Sequence, residues 1–113
     1  ERSKAKSHIQ AKYSKMQNKQ VNLAIQVLPK STEKHPYDIV DKAIEYIQST
    51  GLKYTVCPFE TVIEGNYHQI MDIVEKIHDE CFASGATELL VNMKLQSRKD
   101  EDVSIEEKTG KYT

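Results

Sequence analysis

The chain has 113 residues, of which 38% are hydrophobic, and this size and composition predict a single domain with a modest core. Two cysteines are too few for a disulfide scaffold, and no apolar run approaches the roughly 20 residues that a membrane-spanning helix needs. Residues 1–20 carry six Lys/Arg and one Glu, whereas residues 21–113 carry ten Lys/Arg and sixteen Asp/Glu, an acidic balance that argues against nucleic acid as a partner.

The segment 1–20 is predicted to be a disordered basic arm, because it is rich in Lys, Ser and Gln and has few apolar residues. Met16 is a candidate natural start, which would make residues 1–15 a leader; a genuine basic tail is the alternative. The folded domain is therefore expected over residues 21–113. Since no basic-then-apolar signal segment opens the sequence, we expect a soluble, cytoplasmic protein.

The first strand is predicted from a period of two, in which every second residue is branched and apolar: Val21, Leu23, Ile25 and Val27. Pro29 is expected to end this strand. A helix should begin near Pro36, since proline suits a first helical turn, and Gly51 should cap its end. Its apolar positions recur at helical spacing at Ile39, Val40, Ala43, Ile44 and Ile47.

A hairpin is predicted next, because alternating residues from Leu52 to Val56 are followed, after Pro58-Phe59, by a second β-rich run from Thr61. A longer helix then shows an apolar stripe, and Gly85 is expected to cap it. The stripe consists of Ile70, Ile73, Val74, Ile77 and Cys81. Residues 89–95 alternate as a last strand, and Ser104-x-x-Glu107 resembles a capping box for one final helical turn.

The order strand, helix, strand, strand, helix, strand predicts an α+β, ferredoxin-like βαββαβ fold, with two helices on one face of a four-stranded antiparallel sheet. Nothing predicted in the chain covers the second face. That face is expected to carry the apolar residues Ala24, Leu28, Val62 and Leu90. We therefore expect a second copy of the protein to bury it, giving a homo-oligomer.

Several functions that this fold can host lack their residues here. The predicted central strands have no aromatic residues to stack RNA bases, the first loop has no Cys-x-x-Cys for a metal, and it has no arginine for phosphate. His68 and His78 lie ten positions apart on one predicted helix, which places them out of line, so these histidines are interpreted as solvated. Cys57 and Cys81 are interpreted as buried, packed thiols without a guaranteed catalytic base.

Glu64 differs from ordinary strand residues, because it closes the apolar run Thr61-Val62-Ile63 and precedes a glycine and a helix start. One interpretation is that its carboxylate projects into a pocket at the end of the sheet. The alternative is that it reaches solvent or interacts with the N-terminus of the second helix, where negative charge is favoured. Spacing alone leaves both open.

Four segments together resemble the YkoF-like thiamine-binding (hydroxymethylpyrimidine-binding) domain family, in its short single-domain members. They are Leu23–Pro29, the helix from Tyr37 with Gly51-Leu52-Lys53-Tyr54, Thr61–Gly65, and Ile105–Lys108. The resemblance covers about residues 20–112, and its most specific part is Thr-x-x-Glu-Gly. Family members often have a small residue before the threonine, commonly a Met-Gly pair, whereas this chain has Phe59-Glu60.

The resemblance implies binding of thiamine or its hydroxymethylpyrimidine moiety, no catalytic reaction, no separate cofactor, and assembly into dimers or tetramers. It makes Thr61 and Glu64 the best ligand-binding candidates. Tyr37, Tyr54 and Phe59 are candidates for an aromatic wall, with core or interface packing as the alternative for each tyrosine. Glu64 suits either the aminopyrimidine amine or the positively charged thiazolium.

Three functional hypotheses follow. The first is a non-enzymatic, small-molecule-binding protein for thiamine or its pyrimidine half, acting as a carrier or sensor. The second is a structural or regulatory homo-oligomer with a vestigial pocket. The third is an enzyme acting on a thiamine-related compound, for which the sequence offers neither an acid-base pair nor an activated nucleophile.

Overall fold

The computed structural model describes residues 19–113, so almost all of the predicted basic arm lies outside the described residues. The order is β1 (Gln20–Lys30), α1 (Pro36–Ser49), β2 (Lys53–Val56), β3 (Thr61–Asn66), α2 (Tyr67–Ala83) and β4 (Glu88–Gln96). A short helix, α3 (Glu106–Thr109), and a 3-10 turn (Gly110–Tyr112) end the chain. Between residues 19 and 113, no helix is long and apolar enough to cross a membrane.

The four strands form one antiparallel sheet in the order β2-β3-β1-β4, which confirms the predicted ferredoxin-like fold. The register places Ile25 opposite Thr61 and Asn22 opposite Glu64 on β3, while β4 pairs with β1 all the way to Lys30. β1 therefore has two neighbours along its first half and only β4 along its second half.

The core lies between the helices and one face of the sheet. Alternate residues of the central strands, together with stripes on both long helices, are almost fully buried: Val21, Leu23, Ile25 and Ile63 on the strands, Ile39, Ala43 and Ile47 on α1, and Ile70, Ile73, Val74, Ile77 and Cys81 on α2. The predicted helical stripe of α2 is thus confirmed in full. Burial of these branched side chains is the main stabilising term of the fold.

The helix ends follow from local chemistry. Gly51 (φ 75°) and Gly85 (φ 111°) adopt the left-handed conformation after α1 and α2, as predicted for glycine caps. Asn66 and Gln69 form a capping box at the start of α2, and His35 accepts a hydrogen bond from the Tyr37 N–H at the start of α1. Neither of these N-terminal caps was predicted.

The prediction that Pro29 ends β1 is wrong, since the strand continues to Lys30. The Lys19 carbonyl bonds the Tyr67 N–H on the β3 side, and the Lys30 carbonyl bonds the Thr87 N–H on the β4 side. Because strand backbone groups alternate, Pro29 is directed to the β3 side, beyond the end of β3. Its missing N–H therefore costs no ladder hydrogen bond.

The prediction that nothing in the chain covers the second sheet face is also wrong, because the C-terminal tail (residues 97–113) crosses one end of it. The N–H of Val103 donates to the Gln20 carbonyl, and Asn22, only 4% exposed, bonds the Val103 carbonyl and the Lys108 ammonium. Val103 and Ile105 are buried apart from the main core. The predicted final turn is present, with reciprocal Ser104 and Glu107 capping bonds.

Candidate functional site

A cavity of about 310 Å³ lies between α1, the second half of β1 and the tip of the β2–β3 hairpin. It exists because β1 runs on to Lys30 whereas its pairing with β3 stops at Ile25 and Thr61. Beyond that pair the hairpin tip leaves a gap under α1. Most of its wall is apolar, and Val27, Val40, Ala43, Ile44 and Ile47 contribute to it.

Two exposed aromatic rings border the cavity. Tyr37 stands on the first turn of α1 and is 74% exposed, while Phe59 stands at the hairpin tip and is 82% exposed. The tip is a tight turn, closed by the Cys57 N–H donating to the Glu60 carbonyl at 2.8 Å. Flat, exposed rings beside an apolar cavity are suited to contact with a flat ligand.

The polar groups of the cavity are few. Thr61 is only 6% exposed and lines the cavity, and its side chain forms no hydrogen bond with residues in the described part of the chain. Glu60 is half-buried and is the one charged residue of the lining, which contains no lysine, arginine or histidine. The site therefore combines an apolar wall, a hydroxyl available to a ligand, and a negative charge.

Cys57 also lines this cavity, which sequence reasoning missed. The prediction that both cysteines are buried holds for Cys81 and is wrong for Cys57, which is half-buried. The reason is its place at the hairpin tip, beyond the cover of α2. Burial, and then the charge of Glu80, raise the pKa of the Cys81 thiol.

The predicted site residues fall into two groups. Tyr37, Phe59 and Thr61 meet around the cavity, but Glu64 and Tyr54 are not among its lining residues. Thr61 and Glu64 are three positions apart on one strand, so their side chains project from opposite faces, about 10 Å apart along the strand. The carboxylate of Glu64 accepts a hydrogen bond from the Ile105 N–H of the tail.

The three defined residues of the Thr-x-x-Glu-Gly segment thus have three different surroundings. Thr61 lines the cavity, Glu64 holds the tail, and Gly65 leaves room for its neighbours. A Cβ atom at Gly65 would lie 2.8 Å from the Leu52 side chain and 3.5 Å from that of Ile70. A side chain at position 65 would therefore have to displace the end of the Leu52 side chain at the start of the hairpin.

Tyr54 packs against the core opposite Ile63, half-buried, which agrees with the packing alternative for this residue. The histidines contribute no metal centre in residues 19–113, where no group of three or more His, Cys, Asp or Glu side chains is placed to hold an ion. The cavity is taken as the candidate site because three of the predicted site residues, Tyr37, Phe59 and Thr61, line it.

Comparison with known proteins agrees with the sequence resemblance. The family model described as "Thiamine-binding protein" matches residues 23–113. The UPF0045 protein CPE1503 of Clostridium perfringens is 40% identical over 91 residues, which are 80% of this chain and 95% of that protein.

Two solved structures share the fold. A domain of unknown function, DUF77, from Bacillus cereus is 36% identical with a TM-score of 0.81, covering 84% of this chain and 91% of that one. A candidate thiamine biosynthesis/salvage protein from Thermotoga maritima, TM0486, is 32% identical with a TM-score of 0.74, covering 83% of this chain and 99% of that one.

Proposed function

Since this chain belongs to the thiamine-binding protein family, we propose that it binds thiamine or the hydroxymethylpyrimidine half of thiamine, without catalysing a reaction. The observation that carries this proposal is the largely apolar cavity that Thr61 lines together with two exposed aromatic residues, Tyr37 and Phe59. The assignment of the Thermotoga maritima neighbour to thiamine metabolism supports the same ligand class.

The cavity suits the pyrimidine ring. Apolar walls favour burial of the faces of a flat ring, and the rings of Tyr37 and Phe59 supply stacking surfaces at the border of the cavity. The Thr61 hydroxyl is able to donate to a ring nitrogen or accept from the amino group. We assign ligand contacts to these three residues.

The charge of the cavity favours thiamine over its phosphate esters. Glu60 attracts the positively charged thiazolium, while the lining offers no basic side chain to neutralise a phosphate. Phe59-Glu60 stands directly before Thr61, where family members often have a small residue, commonly in a Met-Gly pair. This chain's departure from the family pattern therefore falls on the wall of the cavity itself.

That Glu64 binds the ligand stays a prediction. The position of its carboxylate within this chain does not favour it. Its carboxylate lies on the other face of the sheet, where it holds the tail. We propose that Glu64 acts on stability and that Thr61 acts on affinity. The two residues can then be separated by mutation.

A second candidate function is assembly itself, in a homodimer or homotetramer located in the cytoplasm. The tail covers one end of the second sheet face, but Leu28 and Leu90 remain 43% and 58% exposed and lie opposite each other at the other end. Paired exposed leucines favour contact with another copy of the chain. Binding and assembly are compatible with each other.

Titration calorimetry tests the proposed function. We expect saturable binding of thiamine and hydroxymethylpyrimidine to the wild type, weakened about tenfold by Thr61→Val, which removes the hydroxyl but keeps the shape. Phe59→Ala should weaken binding similarly, whereas Tyr112→Ala, a comparably exposed aromatic outside the cavity, should not. Circular dichroism controls for folding. No binding of either compound to the wild type would contradict the proposal and favour the assembly function.

A further inference from the structure

The backbone of β1 presents an unpaired edge to the cavity. Pairing between β1 and β3 ends at Ile25 and Thr61, yet β1 continues, and the stretch from Ile25 to Leu28 lines the cavity. The next residue whose backbone groups are directed to the β3 side is Val27.

This direction follows from three hydrogen bonds. The Lys19 carbonyl accepts from Tyr67 on the β3 side, while the carbonyls of Gln20 and Lys30 accept from Val103 and Thr87 on the opposite side. Backbone groups of a strand alternate between its two neighbours, so odd-numbered residues of β1 are directed to β3. Val27 is odd-numbered, and no β3 residue is paired with it.

The N–H and C=O of Val27 therefore form a donor and acceptor pair at the cavity, in the plane of the sheet. Buried or half-buried backbone groups of this kind require partners. Pro29, two residues later, is directed to the same side but has no N–H. Val27 is thus the residue of this open edge that offers both groups.

We propose that the N–H and C=O of Val27 hold the aminopyrimidine edge of the ligand, in the manner of a missing β3 residue; this rests on the function proposed above. The exocyclic amino group donates to the Val27 carbonyl, and the adjacent ring nitrogen accepts from the Val27 N–H. The ring then lies in the plane that β3 would occupy. Thr61, at the last paired position, is placed to bond a further polar atom of the ring.

This arrangement makes the backbone a determinant of specificity. A pyrimidine that lacks the amino group loses the donor to the Val27 carbonyl, and a buried acceptor left without its donor weakens binding. Apolar walls alone would discriminate weakly between these two rings. We therefore expect the protein to bind the aminopyrimidine more tightly than the same ring without the amino group, although no charged side chain contacts that group.

Amide hydrogen exchange by NMR tests the inference directly. In the free protein the Val27 N–H should exchange much faster than that of Ile25, which is paired with Thr61. Saturation with hydroxymethylpyrimidine should slow exchange at Val27 about tenfold or more and leave Ile25 little changed. In parallel calorimetry, the analogue without the amino group should bind about tenfold more weakly.

Three outcomes separate the possibilities. Saturable binding without added protection at Val27 would overturn the inference and leave the proposed function standing. Strong protection of Val27 in the free protein would also overturn it, because the edge would already be paired. Absence of any binding, by thiamine or by hydroxymethylpyrimidine, would overturn the proposed function and the inference together.

A variant provides an independent check. Val27→Pro removes the N–H at a position directed away from β4, as Pro29 already does, and should weaken hydroxymethylpyrimidine about tenfold or more. Val27→Ile retains the N–H and should bind within about threefold of the wild type. Equal affinity of the two variants, both folded by circular dichroism, would count against the backbone contact.

Discussion

The Glu64 carboxylate accepts a hydrogen bond from the backbone N–H of Ile105 at an O–N distance of 2.7 Å, joining residues 41 positions apart. This bond holds the tail on the sheet face opposite the cavity. Asn22, directly across from Glu64 on β1, binds the same tail through the Val103 carbonyl and the Lys108 ammonium. A carboxylate in a ligand-binding family's most specific motif thus has a structural partner within its own chain.

Removal of the Glu64 carboxylate should lower stability and spare ligand binding. Glu64→Ala leaves the half-buried Ile105 N–H without its acceptor, which should cost about 1–3 kcal/mol of unfolding free energy in urea titrations. Glu64→Gln retains a carbonyl oxygen and should cost less. Thiamine affinity should stay within about twofold in both variants. If the variants kept the stability of the wild type but bound thiamine more weakly, Glu64 would be a ligand-binding residue after all.

Attachment of the tail should depend on pH through Glu107. The Ser104 N–H first, and then the Arg98 guanidinium, lower the pKa of the Glu107 carboxyl below its ordinary value of 4.5. At pH values between the lowered pKa and about 4.5, the folded tail therefore binds fewer protons than the unfolded tail. Its stabilisation is present above about pH 4.5 and is lost as pH falls through the lowered pKa.

Amide exchange at Ile105, measured from neutral pH downward and corrected for intrinsic rates, should report this release. Glu107→Gln should weaken protection at neutral pH and flatten the pH dependence. Glu106→Gln, in the same helical turn, leaves both bonds to Glu107 in place and is the matched control. A pH profile that is identical in wild type and Glu107→Gln would assign the release to other groups.

The two cysteines should differ sharply in reactivity. Cys57 is half-buried at the cavity, whereas Cys81 is fully buried and burial raises the pKa of its thiol, which disfavours the reactive thiolate. Iodoacetamide should therefore alkylate Cys57 in the folded protein and leave Cys81 unmodified, as read by mass spectrometry of peptides. Thiamine should slow alkylation of Cys57. Equal rates with and without saturating thiamine would place the ligand elsewhere.

Assembly should depend on the open end of the second sheet face. Light scattering at micromolar concentration should show a dimer or a larger species for the wild type. Leu28→Lys and Leu90→Lys each place a charge on the exposed leucine pair and should shift the protein to smaller species. Phe82→Lys, at a similarly exposed position on α2, is the control and should not. A wild type that is already monomeric would refute this assignment of the face.

The sequence was sufficient for the fold because its patterns are local. The period of two in β1, the helical stripe from Ile70 to Cys81, and the glycines at positions 51 and 85 each predict one element without reference to the others. The order of these elements then leaves few topologies. The capping box of Ser104 and Glu107 was predicted for the same reason, since its two members are only three positions apart.

Tertiary structure alone decided which residues share a site. Strand alternation implies that Thr61 and Glu64 face opposite ways, but the cavity on one face and the tail on the other appear only once the strands are paired. The cavity arises from a difference in length between β1 and β3, and the second face is covered by a segment about 80 residues away from Gln20. A periodic pattern reports which face of an element is buried; it carries no information about what lies against that face, because that contact is made by residues distant in sequence.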